Sequence, residues 1–151
     1  MSIGSLSRVL SCVFATAAPL LVFAPEAVAA PDGQYSCSGV FLLGDGTGEV
    51  ESCIYAENGV PRAFGGLTIK NTITPDNCTM EVTVVDRGGA PDGSDAHVAT
   101  SEFKCFNGRY PSPPLTVDAA DAKPGHRYVT VTKVTVNGNV NSPIFSPELV
   151  L

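Results

Sequence analysis

The chain has no tryptophan and only two histidines, His97 and His126. Each histidine opens a predicted strand, neither lies in a recognisable motif, and no G-x-S-x-G segment is present. The set of nucleophile, base and orienting group that acyl transfer requires is therefore not visible. Without tryptophan platforms for sugar, the strand carboxylates Glu49, Glu51 and Glu102 read as surface groups rather than a glycosidase pair. Basic residues are scarce as well: nine Lys and Arg stand against fifteen Asp and Glu, a net charge of −6. Nucleic acids and anionic membranes are bound through clusters of Lys and Arg. None exists here, so neither is expected as a partner, and the charge reads as a solubility feature.

Other absences narrow the reading further. No stretch after residue 30 keeps a helical period, and there is no repeat or low-complexity segment. No two cysteines are spaced as a zinc site needs, and no cofactor motif appears. Two acidic, glycine-rich segments, Asp45-Gly46-Thr47-Gly48-Glu49 and Asp92-Gly93-Ser94-Asp95, offer oxygen ligands. Neither matches the D-x-[DN]-x-[DN]-G calcium loop, and the same residues are what ordinary turns require. Catalytic, cofactor-binding and metal residues are accordingly all assigned as none, and no enzyme activity is expected.

What is present begins with an export signal. One basic residue, Arg8, precedes an apolar run from Val9 to Ala24, and the segment ends Ala27-Val28-Ala29-Ala30-Pro31. Small residues at −1 and −3 place cleavage after Ala29, since a cut after Ala30 would set Pro31 at +1. The run is too short, and broken by Pro19, for a spanning helix. Cys12 lies near the start of the run, not after it, so it leaves with the signal rather than anchoring a lipid. The expected organisation is a signal peptide over 1–29 and one secreted, extracellular domain over 30–151.

The four remaining cysteines are Cys37, Cys53, Cys78 and Cys105. An even number in a small exported domain predicts two disulfides. Cys78-Thr79-Met80-Glu81-Val82-Thr83-Val84 alternates apolar and polar, a turn-rich loop follows, and the chain returns as His97 to Cys105. Pairing these as an antiparallel hairpin with Cys78 opposite Cys105 sets Met80 against Phe103, Val82 against Ser101 and Val84 against Ala99. That register places all the apolar residues on the cysteine face. A second hairpin with Cys37 opposite Cys53 sets Tyr35 against Tyr55 and Val40 against Val50, but it leaves Phe41 against Glu49. The favoured bridges are thus Cys37–Cys53 and Cys78–Cys105, with the other two of the three connectivities also open.

Further strands are predicted at 67–70 and at Arg127 to Val136, the latter ending in the hairpin turn Asn137-Gly138. Pro143 and Pro147 put the last strand, from Asn139 to Leu151, on a sheet edge. Six or seven antiparallel strands predict an all-β, two-sheet sandwich, Ig-like in general architecture, with a small barrel as the alternative. Asn77-Cys78-Thr79 fits a glycosylation acceptor, whose meaning depends on the secretory pathway.

One segment carries a functional expectation. Cys105-Phe106-Asn107-Gly108-Arg109-Tyr110-Pro111-Ser112-Pro113-Pro114 reads as a Pro-stiffened loop starting at a disulfide. A stiff loop loses little entropy on binding, so Arg109 and Tyr110 form a candidate binding loop, with Arg109 able to enter a trypsin-like pocket. The competing reading is a crossover between sheets.

The signal ending in Ala27-Val28-Ala29, the strand from Cys78 to Val84, and the closing Tyr128-Val129-Thr130-Val131, Asn137-Gly138 and Ser142-Pro143 are similar to uncharacterised small secreted β-rich proteins of high-GC Gram-positive bacteria. The resemblance spans much of 77–147. It implies a sandwich fold and an exported location and carries no site residues. The cysteine spacing and the lack of a long helix set the chain apart from the two-disulfide subtilisin inhibitors of such bacteria. The expected function is a non-enzymatic protein binding an extracellular or cell-wall partner. A structural surface or coat protein, and a protease inhibitor acting through Arg109, are the alternatives.

Overall fold

The computed structural model describes residues 33–44, 46–70, 77–105 and 108–151. The export segment, Cys12, Asp45 and the Phe106-Asn107 part of the expected loop lie outside the described residues. Those residues hold twelve strands: β1 (Ser36–Cys37), β2 (Phe41–Leu42), β3 (Gly48–Glu57), β4 (Val60–Ile69), β5 (Cys78–Arg87), β6 (Ala96–Lys104), β7 (Gly108–Pro111), β8 (Leu115–Thr116), β9 (Arg127–Val136), β10 (Asn139–Val140), β11 (Ile144–Phe145) and β12 (Leu149–Val150).

They form two antiparallel sheets, open rather than closed into a barrel. The first runs β1-β3-β4-β7, with β2 also on β3 and β8 also on β4; the second runs β10-β9-β5-β6, with β11 and β12 also on β9. Twelve strands replace the six or seven expected because edge positions are split into short pieces. Pro143 and Pro147 separate β10, β11 and β12, which all lie along β9 at an edge, where a missing N–H donor costs least.

The β5–β6 register is the one the alternation requires: Met80 faces Phe103, Val82 faces Ser101 and Val84 faces Ala99, with a bulge after Val84. Cys78, Met80, Val82 and Val84 are buried to 1% exposure or less. The first hairpin needs a correction. Cys37 does face Cys53, but Phe41 pairs with Val50 and Leu42 with Glu49, one residue out of step with that pairing. The extra residue is absorbed around Gly39, at φ 82°, while the Ser38 hydroxyl accepts the Ser52 N–H. The slip moves Phe41 away from Glu49 and onto Val50.

A tight turn at Asn58-Gly59, with φ 54° and 72°, joins β3 to β4. Both values are positive, as a two-residue type I′ hairpin requires. The turn extends β4 back to Val60, well before the predicted start at 67. Asn137-Gly138 repeats the device at φ 49° and 77°.

Between the sheets, Ile54, Ala63 and Leu67 meet Met80, Val82, Val84 and Val134. A Cβ on Gly65 would lie 2.8 Å from Met80 Sδ and 2.9 Å from a Thr132 methyl carbon, so glycine lets the sheets approach there. The two disulfides are local, Cys37–Cys53 and Cys78–Cys105. Closing loops of 16 and 27 residues, each constrains the unfolded chain by roughly 3 kcal/mol.

Candidate functional site

Side chains on a strand alternate between faces. On β3 this sends Val50, Ser52 and Ile54 inward and leaves Glu49, Glu51, Cys53 and Tyr55 on the outer face of the first sheet. On β4 the outer set is Arg62, Phe64, Gly66 and Thr68, each paired across from its β3 counterpart. This outer face carries a groove of about 560 Å³. Its floor is Glu51, Gly66, Cys53 and Thr68. One wall is Tyr35, Cys37 and Val40, and the other is Arg109 and Pro111.

The aromatic end is an edge-to-face cluster, with Tyr35 and Tyr55 ring centroids 4.8 Å apart and Tyr35 and Phe64 5.5 Å apart. Tyr35 remains 65% exposed, so its other surface is open to a ligand. Gly66 makes room for the Glu51 side chain on the groove floor. A Cβ there would lie 2.5 Å from the Glu51 carboxylate oxygen, which occupies the space a side chain would take.

The charges in the groove are unequally committed. Glu49 is paired with Lys70. Glu51 and Arg109, by contrast, have neither an ion pair nor a side-chain hydrogen bond among the described residues. Cys37, Glu51 and Cys53 bring two sulfurs and a carboxylate oxygen within 4.8 Å of one another. Both sulfurs are in a disulfide, so the trio lacks the thiolates a metal would need.

The expected binding loop takes a different form. Gly108–Pro111 is a strand hydrogen-bonded along β4, with Arg109 opposite Thr68 and Tyr110 opposite Leu67. The segment does cross from the second sheet to the first, and backbone pairing converts its middle into an edge. Arg109 thereby becomes a groove wall instead of a projecting tip.

The two histidines are placed far apart in kind. His97 is exposed on β6, opposite Val85. His126 Nδ1 lies 2.9 Å from Oδ2 of Asp86, whose side chain is 1% exposed. Neither groove nor hollow reaches this pair, and among the described residues no hydroxyl or thiol is hydrogen-bonded to His126. The neighbouring Tyr128 hydroxyl donates to the Asp121 carbonyl and accepts the Lys123 N–H. Burial pushes its phenol above the ordinary tyrosine range, with Asp86 and Asp121 adding to the shift.

The acidic loop at 92–95 is engaged in its own turn. The Asp92 carboxylate accepts both the N–H and the hydroxyl of Ser94, which holds its pKa down. Asp95 is held low by the Arg87 guanidinium and by the Gly88 N–H. Asn77 is exposed beside buried Cys78.

Sequence reasoning missed Tyr35, Phe64 and Gly66 as parts of one site. The only local signals were the Gly65-Gly66 pair and the turn at Asn58-Gly59, which together set β4 beside β3. A second hollow, about 390 Å³, lies between the sheet edges at β2 and β10, with Phe41, Leu42 and Val140 on its rim. Asn141 bridges those edges, accepting the Gly44 N–H at 2.8 Å. Among the described residues, no helix is long and apolar enough to cross a membrane. No protein-family model, no curated protein and no solved structure matches the chain.

Proposed function

We propose that this is a secreted, non-enzymatic binding protein whose groove on the outer face of the first sheet takes an extracellular or cell-wall ligand. One observation carries the reading: Glu51 and Arg109 sit on the floor and wall of one groove, beside exposed Tyr35, and neither has an ion-pair partner among the described residues. Opposite charges flanking an apolar, partly aromatic surface suit a ligand that has polar groups at both ends and an apolar body. The two disulfides fit an oxidising compartment, and the apolar run from Val9 to Ala24 followed by Ala27-Val28-Ala29 fits an export signal.

The test is retention of the oxidised protein, residues 30–151, on insoluble wall material and on immobilised culture-medium proteins of the source cells. Retention should drop at least tenfold in Arg109→Ala and in Tyr35→Ala, both of which should fold normally because the side chains are exposed. Equal retention of all three proteins, or of none, rejects the groove.

A small hydrolase is a second reading, favoured by the His126–Asp86 pair. It fares worse because neither of the two hollows described reaches the pair and, among the described residues, no hydroxyl is hydrogen-bonded to His126. The inhibitor reading also weakens, because Arg109 lies in a paired strand where a protease would need a free extended loop.

A further inference from the structure

We infer that the Cys37–Cys53 bridge is a thiol-exchange site reacting with small dithiols, and that its reduction opens the groove. The Cys78–Cys105 bridge, on this inference, is purely structural. The two bridges differ in one cysteine only: Cys53 is itself 0% exposed, and Cys37 is the one end that reaches the surface. Cys78 and Cys105 are 1% and 2% exposed and belong to the core between the sheets. A reductant cannot reach either sulfur unless the sandwich opens. Cys37 is exposed, and both Cys37 and Cys53 line the groove. An attacking thiolate therefore has access to Cys37 in the folded protein, and access controls exchange once thiolate is available.

The step balances without any further reagent. One thiolate of the dithiol bonds to Sγ of Cys37, and the Cys37–Cys53 bond breaks with its electron pair going to Cys53. The second thiolate then attacks the reagent sulfur of the mixed disulfide and releases Cys37. The reagent leaves as a cyclic disulfide, two electrons have passed to the protein, and its two thiolates take up the two protons.

Glu51 tunes this reaction. Its carboxylate oxygen lies within 4.8 Å of both sulfurs, and among the described residues it has no ion-pair partner. It repels the incoming thiolate and disfavours the leaving one. At such a distance in a solvated groove, two unit charges interact enough to change a rate by roughly 3-fold to 5-fold, less at high salt.

Opening follows from how the wall is built. Strand β1 is two residues long and pairs only Ser36 with Ile54 and Cys37 with Cys53. Besides the bridge, the segment is held by backbone hydrogen bonds from Ser38 to Ser52 and from Gly33 to Ala56, and by the Ser52 N–H on the Ser38 hydroxyl. Without the bridge, Tyr35 and Cys37 are free to leave Tyr55 and Phe64. This second half rests on the groove reading; the exchange itself does not.

The experiment uses the oxidised protein without denaturant, dithiothreitol as the dithiol, and iodoacetamide quenching, with labelled cysteines read by mass spectrometry. Cys37 and Cys53 should be labelled at least tenfold faster than Cys78 and Cys105. Equal rates, or earlier labelling of Cys78 and Cys105, overturn the assignment. Glu51→Gln should speed the first labelling about 3-fold to 5-fold, and an unchanged rate removes Glu51 from the account. Protein labelled only at Cys37 and Cys53 should keep its far-ultraviolet dichroism, lose the part of the near-ultraviolet tyrosine signal that comes from the Tyr35–Tyr55 contact, and lose retention on wall material. Fast exchange with unchanged tyrosine signal rejects the opening alone. Failure of the oxidised protein to be retained rejects the proposed function and leaves the exchange result standing.

Discussion

The Ser52 hydroxyl on β3 donates to the Thr130 carbonyl on β9 at 3.0 Å, tying the two sheets together through the middle of the core. Thr132 donates its own hydroxyl to Ser52 Oγ at 3.0 Å, and the Thr130 hydroxyl donates to the Cys53 carbonyl. Ser52, Thr130 and Thr132 are all fully buried. Buried polar groups are tolerated when each finds a partner, and removing one member strands the others. Ser52→Ala should therefore cost about 1–3 kcal/mol in urea unfolding. A double-mutant cycle with Thr132→Val should show a coupling of about 0.5–3 kcal/mol. Strict additivity would mean the hydroxyls stabilise independently.

The His126–Asp86 pair makes a related prediction at the edge of the sandwich. Asp86 is buried with no side-chain partner among the described residues other than the imidazole. His126→Ala removes that partner and leaves a buried carboxylate uncompensated, at a cost of roughly 1–3 kcal/mol. Adding Asp86→Asn should recover part of the loss, because a neutral amide is cheaper to leave there. Urea midpoints at pH 7 for the two variants check this. A His126→Ala variant as stable as the parent would reduce the pair to a surface contact.

Much of this fold can be read from strand alternation and turn chemistry, and the limits of that reading are physical. The β5–β6 register is specified because a one-residue slip would carry Met80, Val82 and Val84 out of the core. The β1–β3 pair is specified only at its cysteines, and Gly39 absorbs an extra residue that no periodicity announces. The Asn58-Gly59 turn was as legible as Asn137-Gly138, but Pro61, Gly65 and Gly66 obscure the strand after it. In the structure Pro61 pairs with Ala56 close to that turn, and the glycines are close-approach positions. The groove was not legible at all. It brings together residues from β1, β3, β4 and β7 that are far apart in sequence, and Glu51 and Arg109 stand out only because neither has an ion-pair partner among the described residues. The polar core was hidden for a similar reason, since Ser52 and Thr132 look like outward strand residues until the facing sheet is known.

Asp95 predicts an acid dependence. Its carboxyl is held below the ordinary value by the Arg87 guanidinium first and the Gly88 N–H second. A lowered pKa in the folded state means the unfolded chain binds the proton more readily. The stabilisation is therefore present above pH ~4, near the unfolded carboxylate value, and is lost as pH falls toward the folded one. Because the group is solvent-exposed the effect is small. Asp95→Asn should lower the urea midpoint slightly at pH 6 and converge on the parent near pH 2.5. A constant offset across that range would show that the Arg87 contact contributes nothing through charge.

Gly65 and Gly66 are neighbours on β4, yet alanine should act on them in opposite ways. At Gly65 the new methyl points inward and meets Met80 Sδ and a Thr132 methyl carbon at 2.8 and 2.9 Å, inside a packed core. Overpacking of this kind costs about 1–3 kcal/mol, reduced to the extent that flexible Met80 can shift. At Gly66 the methyl is on the outer face and meets Glu51 from Cγ to the carboxylate oxygen, at 2.6 and 2.5 Å, so this outward side chain must rotate as a whole. Gly66→Ala should thus change stability by less than about 1 kcal/mol. It should still weaken retention on wall material, because it displaces the Glu51 carboxylate from the groove floor. Unfolding curves and the retention assay on the two single variants separate these effects. If Gly66→Ala binds as well as the parent, the floor of the groove makes no contact with the ligand, and the site must lie closer to Tyr35 and Arg109.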